Sequence, residues 1–272
     1  MQPMTHLLRH RAKYSIAQNK FTREEQKEYF APSIFLAEMV SFDNLTVGVL
    51  IPARNEEKNI EDLIHRLKNL GYFNILVIDG NSKDATCRVA EKYGAKVIPQ
   101  NGLGKGNAVR QVLNNGYLDV DVLILMDADG SMAPEEIPAF IRALSSGADL
   151  VKGSRFLKGG GTYDMSLLRR IGNGFMMFAV NYLFSTRYTD LCYGFAALNK
   201  RAVRMLAPLL RSENFELEAE IFIKAWEIGL NVREIPSTEF KRKYGVSNLN
   251  ALRDGLSILA TIIREFLNDT ET

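Results

Sequence analysis

The chain has 272 residues, of which 46% are hydrophobic, 10% aromatic and 24% charged, fractions that exclude a disordered, collagen-like or low-complexity chain. Lys and Arg number 34 against 32 Asp and Glu, a formal charge of +2, too balanced for a dedicated nucleic-acid binder. Two cysteines, Cys87 and Cys192, lie far apart without CxxC spacing, so neither a disulfide framework nor a zinc site is expected and a reducing, cytoplasmic setting is the default.

In chain order, Thr22 and Glu25 form a capping box and Pro32 precedes the apolar run 34–40, so residues 1–43 read as a helical N-terminal extension. From residue 45 a regular alternation begins. Apolar strands are predicted over 45–51, 73–78, 95–98 and 120–126, separated by helices over 56–70, 84–93 and 107–115. Continuous apolar strands alternating with helices imply βαβ units and a mostly parallel sheet buried on both faces by helices. Beyond Pro134 the expected order is a helix over 134–145, a strand over 149–152, a Gly-rich loop over 158–162 and a long helix over 166–184. An apolar stretch near 194–198, a helix near 216–228, a strand near 232–235 and a last helix over 248–267 complete it. Residues 44–272 are taken as one domain, with a nucleotide-binding half to about 130 and an acceptor half after it. No apolar run approaches the roughly 20 residues needed to span a bilayer, and residues 1–13 lack the apolar core of a secretory signal. The expectation is a soluble protein, at most peripheral to a membrane.

In an open parallel sheet, ligands bind beyond the carboxyl ends of the strands. Four polar clusters are predicted there: Pro52-Ala-Arg54-Asn-Glu56, Asp79-Gly-Asn-Ser82, Gly102-Leu-Gly-Lys105-Gly106 and Asp127-Ala-Asp129-Gly130. Asp127 and Asp129 flank a small residue and would repel each other without a cation between them; hard divalent ions such as Mg²⁺ or Mn²⁺ take such oxygens together with water and phosphate. The alternative is a solvated Asp-Gly turn. Lys105 lies in a Gly-Lys-Gly loop opening a helix, where free N–H groups and a point charge suit a phosphate. Asn107 stands where a dinucleotide fingerprint needs its third glycine, and no Walker A pattern is present. Asp79 would accept hydrogen bonds from a base or ribose, or act as an N-terminal cap for the following helix, which Ser82 or Asp84 could equally supply. The three histidines lie away from all four clusters.

Read together, Val49-Leu-Ile-Pro-Ala-Arg-Asn-Glu-Glu57, Val77-Ile-Asp-Gly-Asn-Ser82, Gly104-Lys-Gly-Asn-Ala108 and Met126-Asp-Ala-Asp-Gly130 resemble the family 2 glycosyltransferases of GT-A fold, most of all the dolichyl- and polyprenyl-phosphate sugar transferases. Gly153-Ser-Arg-Phe156, Thr189-Asp-Leu-Cys-Tyr-Gly-Phe195, Phe215-Glu-Leu-Glu-Ala-Glu220 and Arg242-Lys-Tyr-Gly-Val-Ser247 continue the likeness in order. The resemblance implies an α/β GT-A fold and transfer of a sugar from a UDP- or GDP-linked donor with Mg²⁺ or Mn²⁺. The acceptor would be a polyprenyl phosphate or a small hydroxyl compound, and peripheral membrane contact is left open. By position, it implies that Pro52, Arg54, Glu56 and Asp79 frame the nucleoside, and that Lys105 and Gly106 lie by the diphosphate. Asp127 and Asp129 would hold the metal, and Arg155, Arg170 and Arg242 would face the acceptor. Two positions depart from the pattern: Ser131 replaces a Gln that can join the metal, and Asn248 replaces a lysine.

A hydroxyl acceptor needs a general base, for which Asp190 is the first candidate and Glu218 the second; an acceptor phosphate needs none and would use arginines instead. Glu216, Glu218 and Glu220 cannot share one helix face, so at least one is expected to be solvated. The helix starting near residue 166 carries apolar residues on several sides, and an exposed face beside Arg170 would suit an apolar acceptor. Transfer is expected to invert the anomeric carbon. Alternatives kept open are a retaining enzyme of the glucosyl-phosphoglycerate type, a sugar-phosphate nucleotidyltransferase and a non-catalytic nucleotide-sugar sensor.

Overall fold

The computed structural model of the protein describes residues 45–246 and 249–269. The expected helical extension over 1–43 and the Ser247-Asn248 departure lie outside the described residues. The described chain forms one unit over Leu45–Asp269, built on a seven-stranded sheet.

Strands β1 (Val47–Ala53), β2 (Asn74–Asp79), β3 (Lys96–Pro99) and β4 (Val122–Leu125) are joined by helices α1 (Glu57–Asn69), α2 (Thr86–Lys92) and α3 (Lys105–Asn115). These strands read as unbroken apolar runs because helices cover both faces: Val49, Leu50, Ile51, Leu76, Val77 and Ile78 are fully buried. Helix α1 turns Ile60, Leu63, Ile64 and Leu67 inward at helical spacing. Each such side chain contributes about 1.5–3 kcal/mol on burial, which fixes the phase of the helix and so the direction of the strand-end loops it joins.

After a 3₁₀ turn at Pro134–Glu136 come α4 (Ile137–Ser145), β5 (Leu150–Ser154), β6 (Gly161–Thr162), α5 (Leu167–Leu183) and β7 (Ala196–Asn199). Helix α6 (Lys200–Leu206), α7 (Leu217–Glu227), β8 (Val232–Pro236), β9 (Thr238–Glu239) and α8 (Ala251–Asp269) follow. Helix α6 was not expected; Asn199 accepts the Ala202 amide at 2.7 Å to cap it, and Ala202 and Leu206 are buried beneath it.

The strand order is β3-β2-β1-β4-β7-β5-β8, with β6 and β9 forming a separate two-stranded sheet. The chain leaves β1 in one direction to build β2 and β3, then returns to its other side for β4, so the order reverses between β1 and β4. A crevice opens at such a switch point, and the register places Leu50 beside Leu125, with the Pro52–Glu56 and Asp127–Asp129 loops side by side above. Strand β7 is antiparallel to β4 and β5. Its start therefore lies at the carboxyl ends of its neighbours, and the 185–195 loop feeding it enters the same rim.

Candidate active site

The rim encloses a cleft of about 480 Å³, whose wall includes Arg54, Lys105, Asp127, Asp129, Glu218 and Arg242. Four of the polar clusters expected at strand ends thus converge on one space, although not every residue in them reaches it.

Asp127 and Asp129 project from the end of β4, and each is paired with a cation. Lys105 Nζ lies 2.5 Å from Asp127 and 2.7 Å from Glu218 Oε1, while Arg242 reaches Asp129 at 3.1 Å and Glu56 Oε1 at 2.8 Å. Burial pushes the Asp127 carboxyl above the usual carboxylate range, Lys105 opposes this, and the charges of Asp129 and Glu218 add to it. Burial works against the Lys105 charge, but Asp127 and Glu218 more than restore it and raise the ammonium above its ordinary value. Four carboxylates, those of Asp127, Glu218, Asp129 and Glu56, face two cations, Lys105 and Arg242, so the cluster is short of positive charge.

Could a divalent cation sit here? The donors are carboxylate oxygens, as a hard cation requires. Among the described residues no group of three or more His, Cys, Asp or Glu is arranged to hold a metal. An ion at Asp127 and Asp129 would therefore complete its shell from a diphosphate and water, the usual habit of Mg²⁺. The residues fit a cation that arrives with its ligand rather than one caged by protein.

Arg54 is exposed on the cleft wall and Pro52 forms part of it. Glu56 is buried and committed: besides Arg242, it accepts from Asn59 Nδ2 at 2.6 Å, and its own amide donates to Thr86 Oγ1 at 2.8 Å. It ties Arg242 to the first strand end. Asp79 is not part of the cleft wall; its carboxylate accepts the Ser82 amide at 3.1 and 3.3 Å, closing the turn after β2, and it does not cap the helix, which starts only at Thr86. Ser131 lies at the cleft and donates its amide to Asp129 Oδ1 at 2.9 Å, steadying that carboxylate through the backbone.

The Gly-Lys-Gly loop differs from the expectation in its physical reason. Gly104 has φ +91°, and a Cβ on it would meet the Glu213 carbonyl oxygen at 2.2 Å; one on Gly106 would meet the backbone of Ser212, Glu213 and Asn214 at 2.7–2.8 Å. The Asn107 amide donates to the Glu213 carbonyl at 2.9 Å. Gly106 is buried against this passing backbone and forms no part of the cleft wall, so the start of α3 is closed by protein there instead of presenting Gly106 to a phosphate. Lys105 alone of the pair faces the cleft.

The 211–214 segment is in turn held by the first turn of α7. Glu220 accepts the Arg211 amide at 3.0 Å and the Ser212 amide at 2.8 Å, and Glu216 Oε1 accepts those of Glu213 and Asn214 at 3.2 and 3.1 Å. None of Glu216, Glu218 and Glu220 is left as an unpaired solvated charge, contrary to the sequence expectation. Glu216 and Glu220, one turn apart, serve loop amides, and Glu218 projects from another face onto Lys105.

Two acceptor-side expectations and the first choice of base change. Asp190 is fully buried, accepting the Arg155 amide at 3.1 Å, Nε at 2.7 Å and Nη2 at 2.9 Å. Burial would raise its carboxyl, but the Lys152 charge and the Arg155 hydrogen bonds prevail and hold it below the usual range. A carboxylate so engaged, and outside the cleft wall, is placed as a structural partner and not as a base. Arg155, also buried, gives its remaining donors to Glu239 Oε2 at 3.1 Å and the Cys192 carbonyl at 3.0 Å. It anchors the 190–195 loop from below and is not free to face an acceptor. Arg170 is exposed, stacked over Phe156 at 5.6 Å and outside the cleft wall. Its neighbour Arg169 is the one that reaches the cleft, 3.8 Å from Glu239 and 3.9 Å from Asp164. The sequence resemblance pointed to Arg170, and the phase of α5 puts Arg169 at the cleft in its place. Arg253, on the first turn of α8, is a further cleft arginine that no motif signalled.

Gly194 marks how tightly the acceptor loop meets the donor side: a Cβ there would meet Glu218 Oε1 at 2.6 Å and Lys105 Nζ at 2.7 Å. Both cysteines are free thiols, with burial pushing Cys87 up to about 11 and Cys192 up to about 12.

Comparison with known proteins agrees with this geometry. The Glycosyl transferase family 2 model matches residues 48–206. Glycosyltransferase AglJ of Haloferax volcanii is 31% identical over 221 residues, covering 80% of this chain and 71% of its own. The UDP-N-acetylglucosamine–dolichyl-phosphate N-acetylglucosaminyltransferase of Methanococcus voltae is 28% identical over 237 residues, covering 80% and 94%. The dolichol-phosphate mannosyltransferase of Pyrococcus furiosus is 34% identical over 217 residues, with 59% of its length covered. Among solved structures, glucosyl-3-phosphoglycerate synthase of Mycobacterium tuberculosis, in complex with Mn²⁺, UDP and phosphoglyceric acid, superposes with a TM-score of 0.67 at 19% identity. The match spans 82% of this chain and 79% of that one. At that identity the likeness concerns the fold, and it is the GT-A fold that the sequence resemblance implied. With its acidic rim at that reversal and a family match across more than half its length, the chain belongs to glycosyl transferase family 2.

Proposed function

We propose that the protein transfers a sugar from a UDP- or GDP-linked donor to the phosphate of a polyprenyl phosphate, with inversion, using Mg²⁺ or Mn²⁺ held by Asp127 and Asp129. The observation that carries the choice of acceptor is the state of the two candidate bases. A hydroxyl acceptor needs a base, yet Asp190 is sealed against Arg155, and Glu218 is bound to Lys105. A phosphate acceptor already carries its charge, and Arg169, Arg242 and Arg253 line the space where it would lie. The names of the Methanococcus and Pyrococcus relatives point to the same acceptor class.

In this reading a phosphate oxygen attacks the anomeric carbon, the bond from that carbon to the donor's diphosphate oxygen breaks, and the nucleoside diphosphate leaves with the electron pair. No proton has to move. When bound, the cation would act as a Lewis acid, neutralising charge that grows on the diphosphate. Lys105 supplies a preorganised positive charge beside it, kept in place by Glu218. Arg242, bridging Glu56 and Asp129, links the donor rim to the acceptor side. Arg54 and Pro52 stand where the nucleoside would lie.

The test is transfer from labelled UDP- and GDP-sugars to a polyprenyl phosphate in detergent, with a small alcohol as the competing acceptor and the product anomer read by NMR. Exclusive labelling of the lipid phosphate with inverted configuration is expected. Preferential labelling of the alcohol, or retention, would overturn this reading in favour of the glucosyl-phosphoglycerate type.

A further inference from the structure

Helices α5 and α8 pack side by side: a Cβ on Gly255 would meet Met176 Cε at 3.2 Å, and further along Phe184 meets Phe266 edge-on at 6.0 Å. The two contacts advance together along both helices, so the helices run in the same sense. Their inner faces join the core through Val180, Phe184, Ile258 and Ile262.

Their outer faces have no partner among the described residues. On α5, Leu168, Ile171, Phe175, Phe178 and Tyr182 form a single stripe at helical spacing, with Phe178 66% and Tyr182 75% exposed. On α8, Leu252, Leu256 and Ile263 form another, Leu256 being 69% exposed. Soluble monomers rarely present a contiguous apolar surface of this extent without a use for it.

Charge narrows the occupant. Helix α5 contains no acidic residue, and its exposed charge is Arg170. Of the three α8 acids, Asp254 and Glu265 are buried, the first bonded to the Asn250 amide at 2.7 Å and the second to Lys224, and Asp269 is the last residue of the helix, beyond the stripe; this leaves Arg253 as the exposed charge of its first turns. Apolar stripes bordered by arginines, with Asp254 and Glu265 turned inward, match the chemistry of an anionic bilayer surface. A second copy fits less well, since a two-fold contact brings each patch against itself and sets these arginines near their own kind with no acid to meet them.

The position of the face agrees. Arg169 of α5 and Arg253 and Ile258 of α8 line the cleft, so the same two helices form the cleft wall and the apolar outer surface. We infer that the α5–α8 face docks on an anionic lipid bilayer and brings the cleft to the headgroup layer. This deepens the proposed reading, on which the lipid acceptor rests, and explains how a chain whose described helices are all too short or too polar to cross a membrane would reach a lipid substrate.

The experiment is vesicle flotation of the full chain without donor or acceptor, using phosphatidylcholine alone and phosphatidylcholine with about one-third phosphatidylglycerol. Wild type is compared with Phe175→Ser/Phe178→Ser/Leu256→Ser, none of which touches the cleft, and with Arg170→Glu. Wild type is expected to float with the anionic vesicles and to dissociate as salt rises. The triple variant should lose partitioning by about tenfold or more while keeping its melting temperature and solution mass. Arg170→Glu should weaken binding to anionic vesicles more than to neutral ones. Failure of wild type to float, equal flotation of the triple variant, or a dimer that the triple variant dissociates would each overturn the proposal. Transfer to a short-chain, water-soluble isoprenyl phosphate separates the two readings: a docking failure leaves it intact, whereas its absence counts against the proposed acceptor and leaves the flotation result standing.

Discussion

Two charge clusters use the same residue types to opposite ends. In the cleft, Lys105 and Arg242 face Asp127, Asp129, Glu218 and Glu56, with the Lys105, Asp127 and Glu218 side chains partly open to solvent. Below it, Arg155 meets Asp190 and Glu239 with almost no exposure, and Tyr193 lies 4.8 Å from its guanidinium. The first cluster has more negative charge than it can satisfy and space beside it; the second is closed and saturated. An open, unbalanced cluster can exchange partners with an arriving cation and diphosphate, whereas a closed one fixes the loop that feeds β7. Burial, more than residue identity, separates chemistry from architecture here.

Breaking the closed cluster should have the largest effect. Asp190→Ala leaves the Arg155 charge buried without its main partner, and a loss of about 3–5 kcal/mol in unfolding free energy is expected by urea denaturation. Because the folded Asp190 carboxyl is held below its ordinary value, its stabilisation is fully present above the unfolded pKa, near pH 4. It is lost as pH falls through the lower folded value, so wild type and Asp190→Ala should converge in stability in acid below about pH 4 and diverge above it. A mutant as stable as wild type at neutral pH would erase the distinction between the clusters.

Breaking the open cluster should leave the fold intact. Asp129→Ala is expected to weaken nucleotide-sugar binding in the presence of Mn²⁺ by about 100-fold with little change in melting temperature. Glycine substitution probes the seam between the clusters and α3. Gly106→Ala forces a Cβ to within 2.7 Å of the Ser212–Glu213 backbone, and overpacking of this kind costs about 1–3 kcal/mol. Thermal melts should show that loss, and Lys105 would be displaced with it. The smallest contrast lies on α5: Arg169→Ala should raise KM for the acceptor about tenfold, and Arg170→Ala, with its side chain on Phe156, should leave the KM for a water-soluble acceptor unchanged. Equal effects of the two would contradict the helix phase.

The donor half was legible because each of its signals is local. An apolar run, a following polar cluster and the next helix each fall within a few residues, and the switch point between β1 and β4 then carries Pro52–Glu56 and Asp127–Asp129 to one rim. The acceptor half was less legible because its residues are sorted by long-range packing. Whether Asp190 is a base or an anchor depends on Arg155, 35 residues away, coming to rest beneath the same loop. The choice between Arg169 and Arg170 depends on the phase of α5, which its many-sided apolar pattern does not fix. Gly106 was expected beside the diphosphate, yet what requires a glycine there is the 212–214 backbone, a partner a hundred residues further along. At least one of Glu216, Glu218 and Glu220 was expected to be solvated because nothing in the sequence marks the loop whose amides Glu216 and Glu220 accept.

The central claim, that Asp127 and Asp129 grip a divalent cation together with the donor diphosphate, is tested most directly by titrating Mn²⁺ into the protein with and without UDP or GDP, following free Mn²⁺ by electron paramagnetic resonance. With no third His, Cys, Asp or Glu placed to join them among the described residues, Mn²⁺ should bind weakly alone and at least about tenfold more tightly with the nucleoside diphosphate, and Asp129→Ala should abolish the gain. Nucleoside diphosphate binding that is unchanged by chelator, or Mn²⁺ binding indifferent to both the nucleotide and Asp129, would contradict it.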